Sequence, residues 1–250
     1  MKTLFKIVFL VFSSFAISQT TFDYQIQLTP KTIPNFPGIH SYAFAQHNGK
    51  WLLIGGRIDG IHARQPFNSF PAASNNTNIY VVDIATNQFW SASVNSLATP
   101  LKEQLQATNF NFYQDENTLY LIGGYAYSVT ANDHITFNKL TSIDVPNLIN
   151  AVIAGTSISS YFKQMTDENL AVNGGQLGKI GDTFYLVGGH RFDGRYNPMN
   201  NPTFTQTYTN GIKKFNIDNS GTQLSIANYE LISDAVHLHR RDYNLLPQVF

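Results

Sequence analysis

Three short apolar segments that end in Gly-Gly constrain this sequence more than any other feature. WLLIGG (Trp51 to Gly56), LYLIGG (Leu119 to Gly124) and FYLVGG (Phe184 to Gly189) align without gaps, and their second glycines are 68 and then 65 residues apart. A pattern that returns at a long, nearly fixed period marks a repeat architecture, in which one supersecondary unit is stacked several times. Each segment follows a turn signal: Asn48-Gly49, Asp115-Glu116-Asn117 and Gly181-Asp182. In every copy the last turn residue stands seven positions before the second glycine.

Upstream of these turns lie further strand candidates: HSYAFAQ from His40, ATNFNFY from Ala107, and a less regular stretch from Leu170 to Ile180. Each copy therefore opens with a β-hairpin, because Asn-Gly and Gly-Asp accept the positive φ of a tight turn. The second strand is a continuous apolar run, as expected of a strand covered on both faces. Gly55, Gly56, Gly123, Gly124, Gly188 and Gly189 then have a packing role, since residues without Cβ permit close backbone approach where the strand ends. A third strand follows a variable loop, as Ile79-x-x-Val82-Asp83-Ile84, Leu140-x-x-Ile143-Asp144-Val145 and Ile212-x-x-Phe215-Asn216-Ile217. Its Asp or Asn falls 27, 20 and 27 residues after the second glycine. Only the first copy marks a fourth strand well, with a turn at Thr86-Asn87 and Trp90 as an apolar anchor.

Four strands per unit, a double glycine after strand two, and Tyr80, Asp83, Thr86 and Trp90 around the last hairpin together resemble the kelch repeat. The resemblance covers roughly residues 38 to 250 and implies an all-β, kelch-type β-propeller of four-stranded antiparallel blades. On that reading residues 1–18 are a signal peptide, 19–37 a lead-in and 38–250 a partial propeller. Its blades lie at about 38–95, 105–166 and 170–232, with the first strand of a fourth at about 236–250. The count is about three and a half blades, an incomplete ring where propellers usually close with 4 to 8. A fragment of a longer propeller is the expected explanation, and self-association to complete the ring is the alternative. The repeat spacing exceeds the roughly 50 residues of a usual kelch unit, and the excess falls in loops. One such loop is Arg57 to Asn76; within another, Leu148, Ile149, Val152 and Ile153 have helical spacing, which predicts a short inserted helix near 147–154 ended by Gly155.

Lys2 and Lys6, the apolar stretch Ile7 to Phe15 and the small-x-small site Ala16-Ile17-Ser18 predict export, to the periplasm, the cell surface or the medium. That stretch is shorter than the roughly 20 residues of a membrane-spanning helix. There is no cysteine for disulfides or a lipid anchor. Aromatics make up 14% of the chain, in keeping with many half-buried strands. After the leader 14 basic side chains face 16 acidic ones, so the basic stripe of a nucleic-acid binder is absent.

Loops that follow the double glycines would emerge on one face, where their polar groups can converge. The candidate ligand-binding residues are Arg57, Asp59, His62 and Arg64 from the first copy, Tyr125 and Tyr127 from the second, and His190, Arg191, Asp193, Arg195 and Tyr196 from the third. Guanidinium groups beside aromatic rings suit sugars or carboxylates. They equally brace neighbouring loops. His237 and His239, alternating on the predicted fourth-copy strand, are weak metal candidates because two imidazoles are an incomplete ligand set. No motif calls for a cofactor, and no catalytic residue is assigned. Phosphate-binding glycine patterns and a sialidase-type Ser-x-Asp-x-Gly-x-Thr-Trp turn are missing, and the copper oxidases that use kelch blades need a cysteine.

The leading expectation is an exported, non-catalytic scaffold that binds a protein or a carbohydrate through these loops. The alternative is a carbohydrate-acting enzyme such as a sugar mutarotase or epimerase, with Arg57, His190, Arg191 and Arg195 around a carboxylate.

Overall fold

The computed structural model describes residues 25–61, 68–197 and 203–246. The predicted leader therefore lies outside the described residues, as do His62, Arg64 and the last part of the fourth-copy strand. Residues 25–32 form no helix or strand. A single compact unit begins at Ile33.

Within it the three predicted copies each make a four-stranded antiparallel sheet. The first contains β1 (Ala43–His47), β2 (Lys50–Ile54), β3 (Asn78–Asp83) and β4 (Gln88–Ser93) in that order. The second contains β5 (Asn111–Asp115), β6 (Thr118–Ile122), β9 (Lys139–Asp144) and β10 (Phe162–Thr166). The third contains β11 (Gln176–Ile180), β12 (Thr183–Val187), β15 (Gly211–Asp218) and β16 (Ser225–Ser233). Each opening hairpin turns where the sequence places it, with positive φ at Asn48 and Gly49, at Glu116 and at Gly181. β10 and β16 complete the sheets of the second and third copies, whose fourth strands the sequence marks poorly.

The segments read as loops after the second and third double glycines are themselves hairpins. They are β7 (Tyr125–Ser128) with β8 (Asp133–Thr136), and β13 (His190–Gly194) with β14 (Phe204–Tyr208). The predicted helix is α2 (Val145–Ala154), and an unpredicted α1 (Thr99–Leu105) precedes the second sheet. The repeated carboxylate explains the start of α2. Asp83 Oδ1 accepts from the Ala85 and Thr86 amides and closes a turn, whereas Asp144 Oδ1 accepts from the Asn147 amide and caps a helix. Gly155 ends α2 at φ 66°, in the left-handed conformation of a glycine cap.

The core sits between sheets. Leu52, Ile54, Ile79 and Val81 from the first sheet meet Leu119 and Leu121 from the second, with Leu148 and Val152 of α2 filling in. On the other face of the second sheet, Tyr120, Ile122 and Leu140 meet Leu177, Phe184, Leu186 and Phe215 of the third. These runs are buried on both faces because consecutive residues serve different neighbours. Among the described residues, no helix is long and apolar enough to cross a membrane.

The lead-in segments tie the copies together. The Asn109 amide donates to Ser41 O (3.2 Å), Gly174 to Asn109 O (3.1 Å) and Asp242 to Gly174 O (2.7 Å). All four residues have positive φ, and Ser41, Asn109, Gly174 and Asp242 are spaced by 68, 65 and 68 residues. Beside this ladder each second glycine donates to the next copy: Gly56 to Ala107 O, Gly124 to Val172 O and Gly189 to Arg240 O. Arg240 thus holds the position that Ala107 and Val172 hold in the second and third copies. Of the strand expected at about 236–250, residues 237–246 pair in no ladder; Leu245 lies against Gly178 of β11 and the Tyr243 hydroxyl donates to Val187 O of β12.

Candidate functional site

The double glycines place the next residue of each copy against a lead-in segment. Isolated bridges pair Arg57 with His40, Tyr125 with Thr108 and His190 with Asn173. Between the β13–β14 hairpin and these segments lies a cavity of about 150 Å³, lined by Phe70, Asn109, Tyr125, Asn173, His190, Phe192, Tyr196, Phe204, Gln206 and Arg241.

His190 is 3% exposed and held by both ring nitrogens. Gln206 Nε2 donates to its Nδ1 (2.6 Å), which leaves Nε2 protonated and donating to Asn173 Oδ1 (2.7 Å). Asn173 Nδ2 donates in turn to Thr136 Oγ1 (2.7 Å) on β8. Burial, and then the charge of Arg241, push the His190 pKa down to about 4, so the imidazole is neutral near pH 7. The Tyr125 hydroxyl donates to Gly194 O (2.7 Å), and burial raises its pKa. Its ring meets Phe70 and Phe192 edge to face, with centroids 5.5 and 5.3 Å apart. Phe192 stacks on Phe204 at 4.5 Å. Tyr196 lies over Phe204 at 6.2 Å.

The predicted arginines do not share this cavity. Arg57 is 2% exposed and donates to both Asp59 oxygens (3.0 and 2.6 Å), to Asn75 Oδ1 (2.9 Å) and to Pro71 O (3.3 Å), with Phe70 beneath it at 5.0 Å. Partial burial opposes ionisation of Asp59, but the hydrogen bond and charge of Arg57 outweigh it and hold the carboxyl below the usual range. Arg191 is exposed and pairs with Asp193 Oδ2 (2.6 Å) and Glu168 Oε2 (2.8 Å). Asp193 Oδ1 also accepts from the Thr136 amide and joins β13 to β8. Arg195 Nε donates to Ser69 O (2.8 Å). Tyr127 turns to Asn132, its hydroxyl donating to Oδ1 at 2.8 Å. These groups brace loops, so of the four residues read as holding a carboxylate only His190 lines the cavity.

His237 and His239 take separate partners. His237 Nδ1 lies 2.9 Å from Asp234 Oδ2, while His239 Nδ1 lies 2.7 Å from Asn210 Oδ1 and its ring stacks on Tyr208. Among the described residues no group of three or more His, Asp or Glu side chains is placed to hold a metal ion.

A larger cavity of about 440 Å³ lies at the opposite end of β6, among Asn117, Asp144, Tyr161, Lys163 and Asn219. Lys163 Nζ is already donated to Asn219 O (2.8 Å) and Gly221 O (2.6 Å), and none of the segments that follow a double glycine reaches it.

No family model matches the sequence, and no curated protein matches it. A solved structure described as "Structure of YjhT" is similar. The two chains are 12% identical with a TM-score of 0.46, over 82% of this chain and 54% of that one. This chain thus spans about half the length of that structure.

Proposed function

We propose that this protein is an exported binding scaffold of kelch-type blades, part of a β-propeller, and that its ligand occupies the cavity at the loop end of the sheets. The observation that carries this reading is convergence. Tyr125 follows the second double glycine, His190, Phe192 and Tyr196 follow the third, and Phe70 belongs to the segment after the first, yet all five line one cavity. Side chains brought together from distant copies, with aromatic walls and a few convergent polar groups, have the composition of a small-ligand site. The non-catalytic reading is supported by His190. Both of its nitrogens are hydrogen-bonded within the protein, which leaves no lone pair to take a proton from a substrate. Export rests on Lys2, Lys6 and the apolar stretch that ends at Ala16-Ile17-Ser18.

An array of neutral and acidic microbial and plant polysaccharides tests the reading. The mature chain should be retained on at least one polymer, and the Tyr196→Ala/Phe204→Ala double variant should not. Equal retention of both proteins, or none of the wild type, contradicts it.

A further inference from the structure

Resting on the binding reading above, we infer that the cavity recognises one uncharged, hydroxyl-rich ring, a neutral monosaccharide unit. Three properties of its wall lead there. The first is size, since about 150 Å³ lies below the roughly 300–1,000 Å³ of sites for larger ligands. A single ring, free or as one unit of a polymer, suits a space of that size.

The second property is the distribution of free hydrogen-bonding capacity. His190 is spent on Asn173 and Gln206, while Asn173 uses its oxygen on His190 and one N–H on Thr136. Gln206 keeps its carbonyl oxygen and one N–H, because the single bond it makes is to His190. The Asn109 carboxamide makes no hydrogen bond to any described residue. Its backbone is pinned on both sides in the lead-in ladder, with φ 56°, so the amide is presented from a rigid base. Two carboxamides, each both donor and acceptor, match hydroxyl groups, which are donor and acceptor as well.

The third property is charge. Among the described residues Arg241 is the single ionic side chain in the lining, and its guanidinium is compensated by Asp242 at 2.9 Å. No carboxylate lines the cavity among the described residues, so a cationic ligand finds no counter-charge. Aromatic side chains make up much of the wall, with Tyr125, Phe192 and Phe204 among the lining, and suit the C–H groups of a sugar ring.

The test is isothermal titration or saturation-transfer NMR with glucose, galactose, mannose, glucuronate and glucosamine. Asn109→Gly removes the carboxamide and tolerates the positive φ; Phe204→Ala serves as a second variant, and thermal melting confirms that each is folded. At least one neutral hexose should bind, more tightly than glucuronate or glucosamine. Asn109→Gly should weaken it about tenfold, the size of one good hydrogen bond. Preferential binding of glucuronate or glucosamine overturns the uncharged-ring assignment and leaves the binding reading standing. A neutral hexose that binds Asn109→Gly and Phe204→Ala as well as wild type moves the site elsewhere. If none of the five sugars binds a protein that the polysaccharide array retains, the inference fails alone; if the array also retains nothing, both fail.

Discussion

His190 is the residue whose surroundings make the sharpest demand on solution conditions. Its pKa is pushed down to about 4 in the fold, first by burial and then by Arg241, against an ordinary value of 6.5. The unfolded chain therefore takes up this proton first. The stabilisation is complete above about pH 6.5 and is lost as pH falls toward 4. The shift is worth on the order of 3 kcal/mol. Urea midpoints should fall between pH 7 and 4, and His190→Gln should flatten that fall; His134, whose pKa burial also lowers, keeps part of it. A glycine pair gives a second residue-scale test. Gly123 and Gly155 have nearly the same φ, 69° and 66°, but a Cβ on Gly123 would overlap the Val172 carbonyl, while one on Gly155 would meet nothing within 4 Å. Gly155→Ala should cost about 1 kcal/mol from the left-handed backbone alone. Gly123→Ala should cost about 3 kcal/mol or more, measured by the same denaturation.

Between α2 and the turn after β3, one sequence position does two jobs. The carboxylate of Asp83 closes a turn, and that of Asp144 starts a helix that fills the gap between the first and second sheets. Asp144→Ala should remove the cap of α2 at a cost of about 1 kcal/mol, read as a lower thermal midpoint with the β-sheet signal intact. The same pair shows what was legible in the sequence. Hairpin turns, double glycines and the apolar spacing of α2 are local signals, and each produced its element where expected. β10 (FKQMT) and β16 (SIANYELIS) lack an apolar run or a turn-and-tryptophan mark, and their strands are set by the sheets they join. The hairpins after the second and third double glycines were hidden because a weak alternation, as in Phe204-Thr-Gln-Thr-Tyr208, stands next to Gly and Pro. Arg57 and Arg195 looked like ligand groups for the opposite reason. Arg57 donates to Asp59 close by and to Pro71 and Asn75 farther along the chain, and Arg195 Nε donates to Ser69 O, 126 residues away, pairings that the sequence alone does not show.

At the scale of the whole molecule, the lead-in ladder through Ser41, Asn109, Gly174 and Asp242 converts a repeat in sequence into adjacency in space. Each double glycine lies against the next copy while the residue after it bridges the lead-in of its own copy, so post-glycine residues and lead-in residues of neighbouring copies meet. Asn109, Asn173 and Arg241 reach the cavity by that route, as no scan of the post-glycine segments alone would show. The central claim is that this meeting point, rather than the larger cavity at the far end of β6, is where the protein takes its ligand. An NMR titration of the mature chain with glucose, galactose and mannose in turn, following the side-chain amides of Asn109 and Gln206 and the ring nitrogens of His190, tests it most directly. The account predicts saturable shifts at these three residues with at least one of the sugars. Shifts confined to Asn117, Asn147 and Asn219, which line that larger cavity, would contradict it.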